Sequence, residues 1–217
     1  MSQDNQHSAQ DKLVRDIVAK AMMHVPFDGW TDEMLALAAA DCGIEAEEAS
    51  RLVGGIDGTV TLYAKIADEE MVAGFEALED RPERTHEKIR ALILIRLEQA
   101  APHKETVRKT LAYLAKPQQA PMASTLLYQT IDAMWRAAGD EATDFSFYSK
   151  RATLAAVYSA TLMAFLGDDT PEMDKTKAFL DRRLKDVAQI PKLTKTPKAM
   201  LANAMQMASS FMGRRSF

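Results

Sequence analysis

Apolar residues recur along this chain at spacings of three and four, the period of one helical face, and almost nowhere alternate as a half-buried strand requires. Leu13, Ile17, Ala21 and His24 form one stripe with Val14, Val18, Met22 and Val25 beside it, and the pattern breaks between Pro26 and Gly29. Thr31 stands where a second helix needs an acceptor for its free amides, and Gly43 ends that helix just after Cys42. A short third helix covers about Glu45 to Val53, the Gly54-Gly55 pair interrupts it, and a longer one runs from about Gly58 to Glu79. Further helices are predicted near 84–100, 103–115, 121–138, 146–166 and 171–189, each bounded by Pro82, Pro102, Pro117, Pro121 or Pro171. The fold class is all-α, with about nine core helices and no internal repeat.

Three regions follow from this pattern. Residues 1–11, MSQDNQHSAQD, are polar and free of arginine; they are expected to be disordered and read as neither a signal nor a transit peptide. Residues 12–190 form one helical domain whose first part, 12–60, is a three-helix head. Residues 191–217 are a linker with Pro191 and Pro197 followed by an amphipathic helix. With 217 residues, 47% of them hydrophobic, the chain can bury a substantial core. The longest uncharged stretch, Ala152 to Gly167, falls short of the roughly 20 residues that span a bilayer and reads as a buried central helix.

Candidate chemistry is sparse. The single cysteine, Cys42, excludes an internal disulfide, and His7, His24, His86 and His103 never share a helical face by their spacing. Glu83-Arg-Thr-His86 is one E-x-x-H unit without the second that a di-iron site needs, and Glu83 reads better as a charge at a helix start. Gly54-Gly55-Ile-Asp-Gly58 lacks the spacing of a phosphate-binding loop. No catalytic residue, cofactor or metal is expected.

The net charge of −4 divides unevenly, because every charged residue after Asp186 is Lys192, Lys195, Lys198, Arg214 or Arg215. On a helix over Thr196 to Gly213, Met200, Leu201, Met205, Phe211 and Met212 share one face and Asn203, Gln206, Ser209 and Ser210 the other. An apolar face between basic ends suits the surface of an anionic membrane, which makes those five the candidate membrane-binding residues; packing back onto the protein or a second copy is the competing reading.

Around a helix-to-helix turn the chain reads Asp132-Ala-Met-Trp135-Arg-Ala-Ala-Gly-Asp140-Glu-Ala-Thr-Asp144-Phe-Ser-Phe-Tyr-Ser-Lys-Arg151. Aromatic anchors in a charged rim have the composition of a recognition surface, so Asp132, Met134, Trp135, Asp144, Phe147, Tyr148 and Arg151 are candidate partner-binding residues; the alternative is the turn chemistry of a tight helical hairpin. Upstream and downstream, Leu94, Leu97, Leu127, Ile131, Leu154, Tyr158 and Leu162 supply apolar faces on three helices, either as simple core or as the wall of a lipid-binding interior with one hydrogen bond from Tyr158 or Thr153.

These residues carry a resemblance. MWRAAGDEATDFSFYSKRATLAAVYS resembles the MW-x-x-AGD-x-x-TDF-x-W-Y-[ST]-[RK]-R-x-x-LAA-x-Y segment of the COQ-nine family of ubiquinone-biosynthesis accessory proteins. Val25-Pro-Phe-Asp-Gly-Trp-Thr31 is similar to its VP-x-x-GWT signature, and Gly55-Ile-Asp-Gly58 to its G-x-DG turn; the likeness extends more weakly from Ile17 to Val187. Phe147 departs from the pattern, which has Trp there. The resemblance implies a non-enzymatic protein on the membrane surface that binds isoprenoid lipids or quinone intermediates and presents them to the di-iron demethoxyubiquinone hydroxylase. A homodimer is expected, cytoplasmic and peripheral on an inner membrane.

Three short helices before longer ones is also the layout of TetR transcriptional regulators, which makes a ligand-responsive DNA-binding protein the rival function. Residues 1–60 hold eleven Asp or Glu against four Lys or Arg, and the helix that would enter the major groove reads Glu45-Ala-Glu-Glu-Ala-Ser-Arg51. Such a head repels phosphate, so a TetR-like fold without nucleic-acid binding is expected.

Overall fold

Nine α-helices, and no strand, form the described residues of the computed structural model, which are 2–140 and 145–189, with side chains for 8–140 and 147–187. The head comprises α1 (Ser2–Asp28), α2 (Asp32–Asp41) and α3 (Ala46–Val53); α4 (Gly55–Glu76) leads into α5 (Thr85–Ala100), α6 (Lys104–Leu114), α7 (Ala120–Ala137), α8 (Phe145–Leu166) and α9 (Asp174–Gln189). Short 3₁₀ turns at Ala101–His103 and Pro117–Gln119 carry the prolines that separate α5, α6 and α7. Chain contacts gather Met1–Leu184 into one compact unit. No described helix is long and apolar enough to cross a membrane.

Local chemistry explains the boundaries. Thr31 caps α2 by accepting the Met34 amide at 3.1 Å. Gly54 and Gly55 both have positive φ, 78° and 66°, so α3 stops and α4 begins within one tight turn, earlier than Gly58. A Cβ built on Gly58 would lie 1.9 Å from the Val53 carbonyl oxygen, so this turn admits only glycine there. Thr170 accepts the Asp174 amide at 2.8 Å, and α9 starts at Asp174 rather than at residue 171. The N-terminus departs from expectation: α1 starts at Ser2, within the segment expected to be disordered, and residues 8–12 are helical although exposed. Helix continuing outward from the buried stripe at Ile17 and Val18 needs no further nucleus, only residues that tolerate it.

In the head, Ile17, Val25, Met34, Ala38 and Val53 are buried together and close onto α4 through Val60 and Tyr63. Trp30, from the Gly-Trp-Thr corner, enters the same core and donates its indole Nε1–H to Thr110 of α6 at 3.0 Å, fastening head to body. In the body α4 packs against α5 and α7, and α7 against α8. Leu92, Ile93, Met134, Phe165 and Leu180 are fully buried there.

Candidate functional site

Between α4, α5, α6, α7 and α8 lies a cavity of about 350 Å³. Its wall is mostly apolar: Leu97, Val107, Leu111, Leu126, Leu127 and Leu162 among others. Of the residues expected to line a lipid interior, Leu97, Leu127, Tyr158 and Leu162 stand on this wall. Leu94, Ile131 and Leu154 do not; they are buried in helix-to-helix packing away from it, because a residue facing the core between two helices is not thereby on the helix face that borders a void. On its wall Met163 is 64% exposed, whereas Tyr158, Tyr63 and Thr130 are buried.

The inner end is polar, a feature absent from the sequence reading. Arg96 lines the cavity and donates from Nε to Asp68 Oδ1 at 3.3 Å; Thr130 donates to the same carboxylate, 3.0 Å from Oδ1 and 2.9 Å from Oδ2. Burial pushes the Asp68 carboxyl up, opposed by Arg96 and Thr130. Burial opposes the Arg96 cation, and the adjacent Asp68 carboxylate favours it by charge and hydrogen bond. The Tyr63 and Tyr158 hydroxyls are pushed up by burial and remain protonated donors at neutral pH. The signal for this cluster lay in the run Leu92-Ile-Leu-Ile-Arg96-Leu97, where a cation sits one helical turn after a buried leucine.

The corner joining α7 to α8 divides into a buried and an exposed part. Arg151, 5% exposed, donates from Nε and Nη2 to Asp132 Oδ1 at 2.9 and 2.7 Å and from Nη1 to Asp140 Oδ2 at 3.4 Å. Its guanidinium lies 3.4 Å from the centroid of the Phe147 ring. Arg136 reaches the other oxygen of Asp132 at 2.6 Å, and Lys150 meets Asp140 at 2.7 Å. Burial works against the Asp140 carboxylate, yet Lys150 and Arg151 outweigh it and hold it below the usual carboxylate range. Asp132, Arg151 and the fully buried Met134 are therefore internal fasteners, which corrects their assignment to a contact surface: ion pairing and packing consume the groups a partner would need. Tyr148 is the opposite case, 70% exposed and touching Phe147 edge-on at 5.1 Å between centroids. Trp135 is half-buried beneath the Lys150 ammonium, and its indole Nε1–H has no partner among the described residues. Asp144 lies outside the described residues, as do Met200, Leu201, Met205, Phe211 and Met212.

Glu83 precedes α5, whose cap is Arg84, so Glu83 and His86 do not share a helical face. Among the described residues no group of three or more His, Cys, Asp or Glu side chains is placed to hold an ion. On α3 the exposed residues include Glu45, Glu47, Glu48 and Arg51, so the acidic surface read from the sequence is the one presented to solvent.

The family model of COQ9 matches residues 120–191, the part holding the α7–α8 corner and much of the cavity wall. Across 208 residues the chain is 28% identical to the mitochondrial ubiquinone biosynthesis protein COQ9 of Rattus norvegicus, covering 91% of this chain and 65% of that protein. The Homo sapiens protein of the same name is also 28% identical over 208 residues, with 91% and 64% covered. The chain thus spans just under two thirds of the length of these relatives. Among solved structures, a TetR transcriptional regulator from Nitrosomonas europaea superimposes with a TM-score of 0.64 at 21% identity, covering 82% of this chain and 99% of that one. The expected TetR-like helical fold is thereby confirmed.

Proposed function

We propose that this chain, a COQ9-family protein by sequence, serves ubiquinone biosynthesis as an accessory protein that binds an isoprenoid lipid or quinone intermediate and presents it to the demethoxyubiquinone hydroxylase, without chemistry of its own. The observation that carries this reading is the mostly apolar cavity of about 350 Å³ between α4 and α8, of the size and character of small-molecule sites. The relatives' names supply the pathway. In this reading the partner meets the exposed rim of the corner, the segment 196–217 rests on the membrane, and two copies pair. The chain is peripheral on an inner membrane, at its cytoplasmic face; the named relatives are mitochondrial.

Tyr148→Ala provides the test of the rim. An aromatic anchor at an interface centre contributes about 2 kcal/mol, so affinity for the hydroxylase should fall roughly 30-fold while the melting temperature stays put, since Tyr148 has little buried area to lose. Unchanged affinity measured by titration calorimetry would move the partner site elsewhere, and a monomer in sedimentation at micromolar concentration would remove the pairing. Deleting 196–217 should reduce flotation with anionic liposomes and leave the unfolding transition intact. Undiminished flotation ends the anchor assignment.

The regulator reading is the less supported of the two, because the face of α3 that would meet DNA carries Glu45, Glu47 and Glu48.

A further inference from the structure

We infer that the seam between α1 and α2 on the head is a docking face for a basic amphipathic helix of a partner protein. Neither the cavity nor the α7–α8 corner contributes a residue to this face, so the lipid-binding reading stands or falls separately.

Large hydrophobic side chains exposed singly are ordinary, but here three gather. Among the described residues Phe27 is 82% exposed, Met23 60% and Leu37 45%. Met23 and Phe27 are one turn apart on α1 and share a face. Next to Met23, His24 places Nε2 2.9 Å from Asp41 Oδ2, which fixes this edge of α1 against α2. Leu37 stands one turn before Asp41 on that edge of α2. The three therefore flank one ion-paired seam, outside the core that Ile17, Ala21, Val25, Met34 and Ala38 fill from the other sides of the two helices.

Charge specifies the partner. Asp16, Asp28, Glu33 and Asp41 are exposed on these two helices, against a half-buried Lys20. The Cys42 thiol at the end of α2 is pushed up by burial and by the charges of Asp16 and Asp41, with Lys20 opposing, so these groups converge beside the seam. An apolar strip in an acidic rim repels nucleic-acid phosphates and anionic headgroups alike, and it attracts Lys or Arg set beside apolar residues. Two helices present side chains and no strand edge, so the ligand that fits is a helix laying its own apolar stripe along the seam with cations on either side.

A fluorescein-labelled helical peptide of about four turns, with leucine on one face and lysine on the other, tests this on the full chain by anisotropy. At low salt it should bind at least about tenfold more tightly than the same peptide with glutamate in place of lysine, and high salt should remove most of that advantage. Met23→Ser combined with Phe27→Ser should weaken the lysine peptide about tenfold, while the melting temperature holds because neither side chain has much buried area to lose. Asp28→Lys should weaken it about fivefold and strengthen the glutamate peptide. A cation in the last turn of α1 suits the helix dipole, so this second variant keeps its fold. Equal affinity for the two peptides, or undiminished lysine-peptide binding in both variants, overturns the docking face. Self-association of the native chain in sedimentation that the double serine variant abolishes would assign the seam to a second copy, and about a tenfold gain in peptide affinity in the full chain bearing Phe211→Asp would assign it to the chain's own segment 196–217; either result excludes the partner helix.

Discussion

Arg151→Ala should lose about 3–5 kcal/mol of folding stability, the cost of breaking a buried ion pair by removing one partner. The side chain is 5% exposed and makes three hydrogen bonds to carboxylates, two to Asp132 and one to Asp140, while its guanidinium plane covers Phe147. Among the described residues, truncation leaves Asp132 with the exposed Arg136 and Asp140 with Lys150. It also removes the clasp between α7 and α8, the two helices whose facing residues include the cavity wall at Leu127 and Tyr158. Arg151→Lys should recover only part of the loss, because an ammonium cannot reproduce the planar fork or lie flat on the ring. Urea denaturation reads the effect directly. A midpoint within experimental scatter of the native value would mean the network is replaceable by solvent, and the corner would then be a surface after all.

Gly58→Ala should also be strongly destabilising, by about 3 kcal/mol, where helix propensity alone favours alanine by roughly 1 kcal/mol. Gly58 lies in the first turn of α4, and the Cβ of alanine would stand 1.9 Å from the Val53 carbonyl oxygen and 2.9 Å from its carbon. Both are backbone atoms that cannot rotate away, so α3 and α4 must separate. The positive φ angles at Gly54 and Gly55 leave that turn no spare residue to absorb the shift. Displacing α4 moves Tyr63, so ligand affinity should fall with stability. Gly74→Ala is the control: its Cβ would meet the ends of the Ile95 and Gln99 side chains at 3.0 and 3.3 Å, which can adjust. If Gly58→Ala is as stable as native protein in the same denaturation series, the α3–α4 approach is looser than described.

Turn chemistry was the most legible level of this protein. Thr31, Gly43 and the Gly54-Gly55 pair mark their helix ends because capping and positive φ are properties of one residue and its immediate neighbours. The corner was legible as a composition, and half of it was assigned to the wrong side: Asp132, Met134 and Arg151 point inward, Tyr148 outward. A mixture of acid, base and aromatic reads the same whether its charges pair with one another or with a partner.

By itself the sequence determined an all-α chain, its helix boundaries to within a few residues except at the start of α1, the acidic head and the family likeness, since periodicity, punctuation and net charge are all one-dimensional quantities. Only the tertiary structure decided which apolar residues enclose a cavity and which merely fill space, because Leu97 and Leu94 belong to the same stripe of α5 and differ only in what faces them. It alone brought Tyr63 and Asp68 of α4, Arg96 of α5, Thr130 of α7 and Tyr158 of α8 to one end of that cavity. Those residues are separated by up to three intervening α-helices in the chain, and their meeting depends on how helices cross, which is settled by the fit of whole faces rather than by any local spacing.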